Sequence, residues 1–192
     1  MRFFIAVPIP EATNNAVAAL MTRLRRFGAD VKWVKAENLH LTLSFLGERP
    51  KEEMPAIRDA MRACAAGRKA FRVVYSGIGV FESWDRPRVL WLGIDSGARE
   101  LKELADDLAE RLKAAGIEAL EKGRPFAAHL TLGRFRSRRH GERLRASAAT
   151  IPTASSLEMP VDRLILYESR LSPEGPSYAA IAEAGLPAAL GA

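Results

Sequence analysis

A chain of 192 residues that is 48% hydrophobic can bury a core of its own, as one large domain or as two small lobes sharing a cleft. Its formal charge of +6 points to anionic partners, RNA ahead of a membrane surface, and its one cysteine, Cys64, excludes an intramolecular disulfide and suits a reducing cytosol. No apolar run approaches the roughly 20 residues of a membrane span, and the apolar start of the chain meets Pro8 too soon for a signal peptide, so a cytoplasmic protein without a membrane anchor is expected.

Phe3 to Val7 is rich in aromatic and branched residues and is closed by Pro8 and Pro10, which predicts a buried strand. Glu11 to Phe27 has helical spacing, with Val17, Leu20, Met21 and Leu24 on one side and Gly28 as the stop. Val31 to Val34 is a brief strand whose Trp33 belongs to the core or a cleft wall. Leu39 to Leu46 alternates, placing His40, Thr42 and Ser44 on one face and Leu41, Leu43 and Phe45 on the other, which must be the core face. A turn at Gly47 to Pro50 leads into a helix, Lys51 to Ala66, with Cys64 among its packing residues. Phe71 to Phe81 is a strand in which Gly77 and Gly79 signal a bulge or a close backbone approach. The turn-rich stretch Ser83 to Pro87 breaks the pattern and is the expected junction between lobes.

Beyond that break the order repeats. Val89 to Ile94 is a strand, Arg99 to Ala115 a strongly amphipathic helix ending at Gly116, Pro125 to Phe135 a strand and Arg138 to Ala149 a helix. Leu164 to Tyr167 and Tyr178 to Ile181 complete the strands. The resulting expectation is an α+β, bilobal, duplicated fold in a single domain over residues 1–192, with approximate repeats at 1–82 and 88–170. Each lobe is an antiparallel sheet with helices outside and a cleft between the lobes.

The two halves share a word. His40-Leu41-Thr42-Leu43 returns as His129-Leu130-Thr131-Leu132, in a chain with three histidines and six threonines. A lone strand histidine is more often structural, but two in duplicate, each with a threonine on its own face, point to one site built from both copies. Near pH 7 one imidazole can hold a proton while another lacks one, so a facing pair can act as acid and base, and the threonine hydroxyls can bind an anion's oxygens. That set suits a phosphodiester. Two histidines give too few ligands for a catalytic zinc, and no serine lies in a nucleophile-elbow pattern. The basic run Arg134 to Arg145 adjoins the second motif and could guide a polyanion, although a solvated helix face explains most of it equally well. Strict alternation turns Arg134 away from the cleft, so a phosphate contact from it needs a kink, for which Gly133 is a candidate. His140, inside the basic run, is expected to be merely exposed.

The paired His-Leu-Thr-Leu motifs, the strand Arg2-Phe3-Phe4-Ile5-Ala6-Val7 and Arg88-Val89-Leu90-Trp91 resemble the 2H phosphoesterases, in particular the LigT-like RNA 2′,3′-cyclic phosphodiesterases, historically called 2′-5′ RNA ligases. The resemblance implies a pseudo-twofold bilobal fold and a site needing neither metal nor cofactor. It also implies hydrolysis of RNA ends carrying a 2′,3′-cyclic phosphate to 2′-phosphomonoesters; separately, a monomer is expected. It gives His40 the role of proton donor, His129 that of proton acceptor, and Thr42, Thr131 and Arg134 the phosphate. Two alternatives stay open: the same chemistry run backwards, as 2′-5′ joining of RNA ends such as tRNA halves, and a non-catalytic RNA-binding protein.

Overall fold

The described residues form nine strands and four α-helices, and every strand pairing among them is antiparallel. The computed structural model describes residues 1–120, 125–150, 157–173 and 175–188. Strands β1 (Arg2–Pro8), β3 (His40–Glu48), β8 (Arg163–Ser172) and β9 (Gly175–Gly185) form a four-stranded sheet in the order β3-β1-β8-β9. Strands β2 (Val31–Trp33), β4 (Phe71–Ser83), β5 (Arg86–Ile94), β6 (His129–Phe135) and β7 (Glu158–Val161) form a five-stranded sheet in the order β2-β6-β5-β4-β7.

Each sheet has one face covered by helices. Helix α1 (Glu11–Arg25) packs Val17, Leu20, Met21 and Leu24 inward, and its Thr13 hydroxyl donates to the Glu158 carbonyl on β7 at 3.1 Å. Its last turn reaches β2 at the opposite edge, where Arg25 sits 5.5 Å above the Trp33 ring, so α1 spans the whole five-stranded sheet. Helix α4 (Gly141–Thr150) lies beside it against β4. Helices α2 (Met54–Ala66) and α3 (Ala98–Ala114) pack on each other, α2 against β8 and β9 and α3 against β3. Leu101, Leu104, Leu108 and Leu112 of α3 are all fully buried, as their spacing at three and four residues requires. Cys64 is buried too, with its thiol donating to the Leu104 carbonyl at 3.6 Å and pushed up to about 12 by burial, which makes it a packing residue.

The bilobal expectation holds, but the lobes do not coincide with the sequence halves. Strand β4, from the first half, joins the sheet of β5 and β6, and β8, from the second, joins that of β1 and β3. Ser83 to Pro87 is therefore not a passage between lobes. It is the tip of the β4–β5 hairpin, with Ser83 paired to Arg86 and Glu82 to Pro87 inside one sheet. The glycines of β4 divide the two expectations made for them. Gly77 has φ +70° where the register slips, and a Cβ on Gly79 would meet the Trp91 indole at 2.3 Å. The expected helix from Lys51 begins with a single 3-10 turn over Lys51–Glu53, and the strand expected from Pro125 begins only at His129.

Candidate functional site

Both motif strands carry the same irregularity. Along β3, Ala6 pairs with Thr42 and Ile5 with Ser44, so Leu43 is the extra residue of a bulge. Along β6, Trp91 pairs with Thr131 and Leu90 with Gly133, so Leu132 is the extra residue there. The fourth residue of each motif is thus bulged, and the side-chain alternation reverses beyond it. For the first copy this corrects the expectation: Ser44 is buried on the core side, its hydroxyl without a partner among the described residues, while Phe45 lies on the face of His40 and Thr42. For the second it supplies the kink that Arg134 needed, at Leu132 rather than at Gly133. Arg134 and Phe45 occupy the same place in the two copies.

His40 and His129 open their strands on the uncovered sheet faces. β3 packs against β6, and the His129 charge is felt at His40, so the two sheets bring both histidines into one cleft. Each ring is held the same way: His40 Nδ1 lies 2.7 Å from the Asn38 carbonyl and His129 Nδ1 lies 2.7 Å from the Ala127 carbonyl. A carbonyl only accepts, so each Nδ1 carries the proton and Nε2 becomes the nitrogen that can take up or give one in the cleft. Asn38 is itself buried, donating through its side chain to the Pro176 carbonyl at 2.8 Å, which ties the entry of β3 to the start of β9.

The surroundings differ between copies. Phe4, Tyr178 and Tyr167 pack on His40 at ring distances of 4.7, 5.2 and 6.3 Å. Burial in that aromatic nest lowers the His40 pKa to about 4, with the Asn38 carbonyl opposing and His129 adding to the fall. His129 meets Phe81 edge-on at 4.8 Å, and Phe81 in turn packs on Trp91. Burial raises the Tyr178 phenol while the Arg134 charge lowers it, so a side chain of the five-stranded sheet and one of the four-stranded sheet meet beside His40. The sequence reading missed Phe4, Tyr178, Tyr167 and Phe81 as cleft residues; only their aromatic character within strands was visible. Of the remaining expectations, Trp33 packs at the core's edge under Arg25, and His140 is half-buried against the Gly28 turn with φ +57° rather than simply exposed.

Two antiparallel sheets with their helices outside, facing each other through a duplicated His-x-Thr strand, define a two-lobed phosphoesterase architecture. The LigT like phosphoesterase family model matches this chain twice, over residues 7–91 and 92–178, and the chain belongs to that family. It is 32% identical to the RNA 2′,3′-cyclic phosphodiesterase of Thermotoga maritima across 95% of this chain and 94% of that one. Among solved structures it superposes on TT0787 of Thermus thermophilus with a TM-score of 0.79 at 31% identity, covering 98% and 99% of the two chains. Escherichia coli LigT in complex with 3′-AMP follows at a TM-score of 0.75 and 26% identity, with 96% of each chain covered. Among the described residues no helix is long and apolar enough to cross a membrane.

Proposed function

We propose that the cleft hydrolyses RNA 2′,3′-cyclic phosphate ends to 2′-phosphomonoesters. The observation that carries this reading is the pair of histidines on facing strands, each with Nδ1 pinned to the carbonyl two residues back and a threonine two residues on. The names of the relatives and the nucleotide bound to E. coli LigT support the substrate class.

In this scheme Thr42, Thr131 and Arg134 hold the non-bridging oxygens of the cyclic phosphate. His129 Nε2 takes a proton from water as the water oxygen bonds to phosphorus. The bond from phosphorus to O3′ breaks, its electron pair stays on O3′, and His40 Nε2 gives that oxygen a proton. The result is a 2′-phosphate and a free 3′-hydroxyl, with His129 protonated and His40 neutral until solvent resets both. Burial lowers the His40 pKa to about 4 and leaves the free ring neutral near pH 7, so the donor role requires the anionic substrate to raise that value on binding.

The test is a product assay on an oligonucleotide ending in a 2′,3′-cyclic phosphate, resolving 2′- from 3′-phosphate ends. Only 2′-phosphate should form, and EDTA should leave the rate unchanged. Replacement of His40 or His129 by Ala should lower kcat/KM by about 10²-fold or more. Full activity in either variant, or a 3′-phosphate product, defeats the proposal.

A further inference from the structure

We propose that a band of cations along the β2–β6 edge is a track for the RNA upstream of the reacting end, so that the protein favours polynucleotides over mononucleotides; this rests on the hydrolase reading above. Lys32 on β2 pairs directly with Arg134 on β6, and both are exposed on the cleft side. The row continues one ladder bond further, where the Arg136 N–H donates to the Asp30 carbonyl at 2.9 Å. The chain then turns through the exposed Arg138 and Arg139, and the Arg139 backbone carbonyl accepts from Asp30 N–H at 3.2 Å. Around the same edge, the end of α1 presents Arg25 and Arg26.

Charge pairing separates this band from the rest of the surface. Elsewhere most arginines are matched, as Arg68 with Glu103 and Asp107, Arg72 with Glu158, and Arg163 with Asp162 and Glu183, and those unmatched among the described residues, such as Arg58 and Arg86, are scattered rather than in a row. None of the band's cations has an ion-pair partner among the described residues. The carboxylates nearest in sequence are engaged elsewhere, Asp30 by the Ser137 hydroxyl at 2.7 Å and Glu142 by Arg145 at 4.0 Å. Arg136 lies one residue beyond β6 but keeps a backbone bond to Asp30, and two residues of extended chain span about 7 Å, so Arg134 and Arg136 can serve neighbouring phosphates rather than the same one. A membrane surface is the poorer partner. An interfacial anchor adds apolar side chains to its basic face, and the exposed large hydrophobics among the described residues, Met1, Leu120 and Leu171, all lie outside the band.

The test replaces Arg26, Arg136, Arg138 and Arg139 together by Gln, sparing Arg134. Turnover is measured on a mononucleotide 2′,3′-cyclic phosphate and on a dodecamer RNA with the same end, and binding of a 3′-phosphorylated dodecamer is followed by fluorescence anisotropy against salt. The mononucleotide kinetics should stay within about twofold, which also reports an intact fold. KM for the dodecamer should rise about tenfold, and the salt slope should flatten by about 0.7 for each RNA phosphate that the variant no longer neutralises. A control removing as many charges from α2 and α3, at Arg62, Arg99, Lys102 and Lys113, should leave the dodecamer's KM and binding unchanged. Equal losses on both substrates, an unaffected dodecamer, a control as damaging as the variant, or wild-type binding to phosphatidylserine vesicles but not to the dodecamer would each overturn the track. The anisotropy measurement judges it even if neither substrate is turned over, in which case the activity reading fails and the track is decided separately.

Discussion

Identical motifs do not say which histidine gives the proton, but pH profiles of the single variants do. In the free protein His40 titrates at about 4, so at pH 7 about one molecule in 10³ carries its proton. With His40 as acid, each pH unit above about 4 cuts its protonated fraction tenfold. Replacing His40 by Ala leaves the base alone, and the residual kcat/KM should climb with pH to a plateau. Replacing His129 by Ala leaves the acid alone, and the residual rate should fall about tenfold per unit over the same range. The His129 variant should also titrate His40 somewhat higher, since the neighbouring charge that depresses it is gone. Initial rates on a 2′,3′-cyclic mononucleotide from pH 4 to 9, at losses of about 10²- to 10⁴-fold, are within reach of a discontinuous chromatographic assay. A His40→Ala variant whose activity falls with rising pH makes His40 the base and reverses the assignment.

Three further outcomes follow from the packing. The folded state lowers the His40 pKa from 6.5 to about 4, so the unfolded chain binds the proton more readily; the stability this neutral, buried ring contributes is whole above pH 6.5 and shrinks by about 3 kcal/mol as pH falls towards 4. Urea midpoints at pH 7 and 4.5 should therefore diverge more for the wild type than for His40→Gln, and equal divergence would show that the ring is not held neutral. Gly79→Ala sets a methyl into the Trp91 indole at 2.3 Å, and should cost about 1–3 kcal/mol and shift the tryptophan emission; an unchanged melting temperature with unchanged emission contradicts that contact. Ser44→Ala removes a buried hydroxyl lacking a partner among the described residues and should stabilise by about 1 kcal/mol in urea melts, whereas destabilisation beyond that would reveal a bond the hydroxyl does make.

Periodicity made the strands and helices legible because most are patterned on one side only. Leu101 to Leu112 could be nothing but a buried stripe, and Leu41 and Leu130 nothing but core. What the pattern could not show is pairing. Ser83 to Pro87 reads as a break because its residues favour turns, yet turn chemistry is the same at a hairpin tip and at a domain boundary; only the Ser83–Arg86 pairing distinguishes them. Bulges were hidden for a related reason. An extra residue at Leu43 or Leu132 leaves the local composition untouched and shows only where the partner strand fails to advance, so Ser44 and Phe45 were assigned to each other's faces. The short β7, Glu158–Val161, has too few residues for its alternation to register.

The exchange of strands between halves explains why a duplicated motif yields an asymmetric site. β8 and β9 extend the four-stranded sheet beyond β1 and bring Tyr167 and Tyr178 to His40. His129 meets Phe81, from the hairpin partner of its neighbouring strand. Positions equivalent across the two copies diverge in kind: Ala6 stands opposite Thr42 where Trp91 stands opposite Thr131, and Phe45 takes the place that Arg134 has after the second bulge. One histidine is thus walled in by aromatic rings, and the other shares its strand with a cation. Burial acts on an imidazole by disfavouring its charged form, so the walled copy holds a proton less readily than a free imidazole without any change in its own four residues. The proposed acid–base roles need unlike members, and the difference between the two copies is made outside the repeated word.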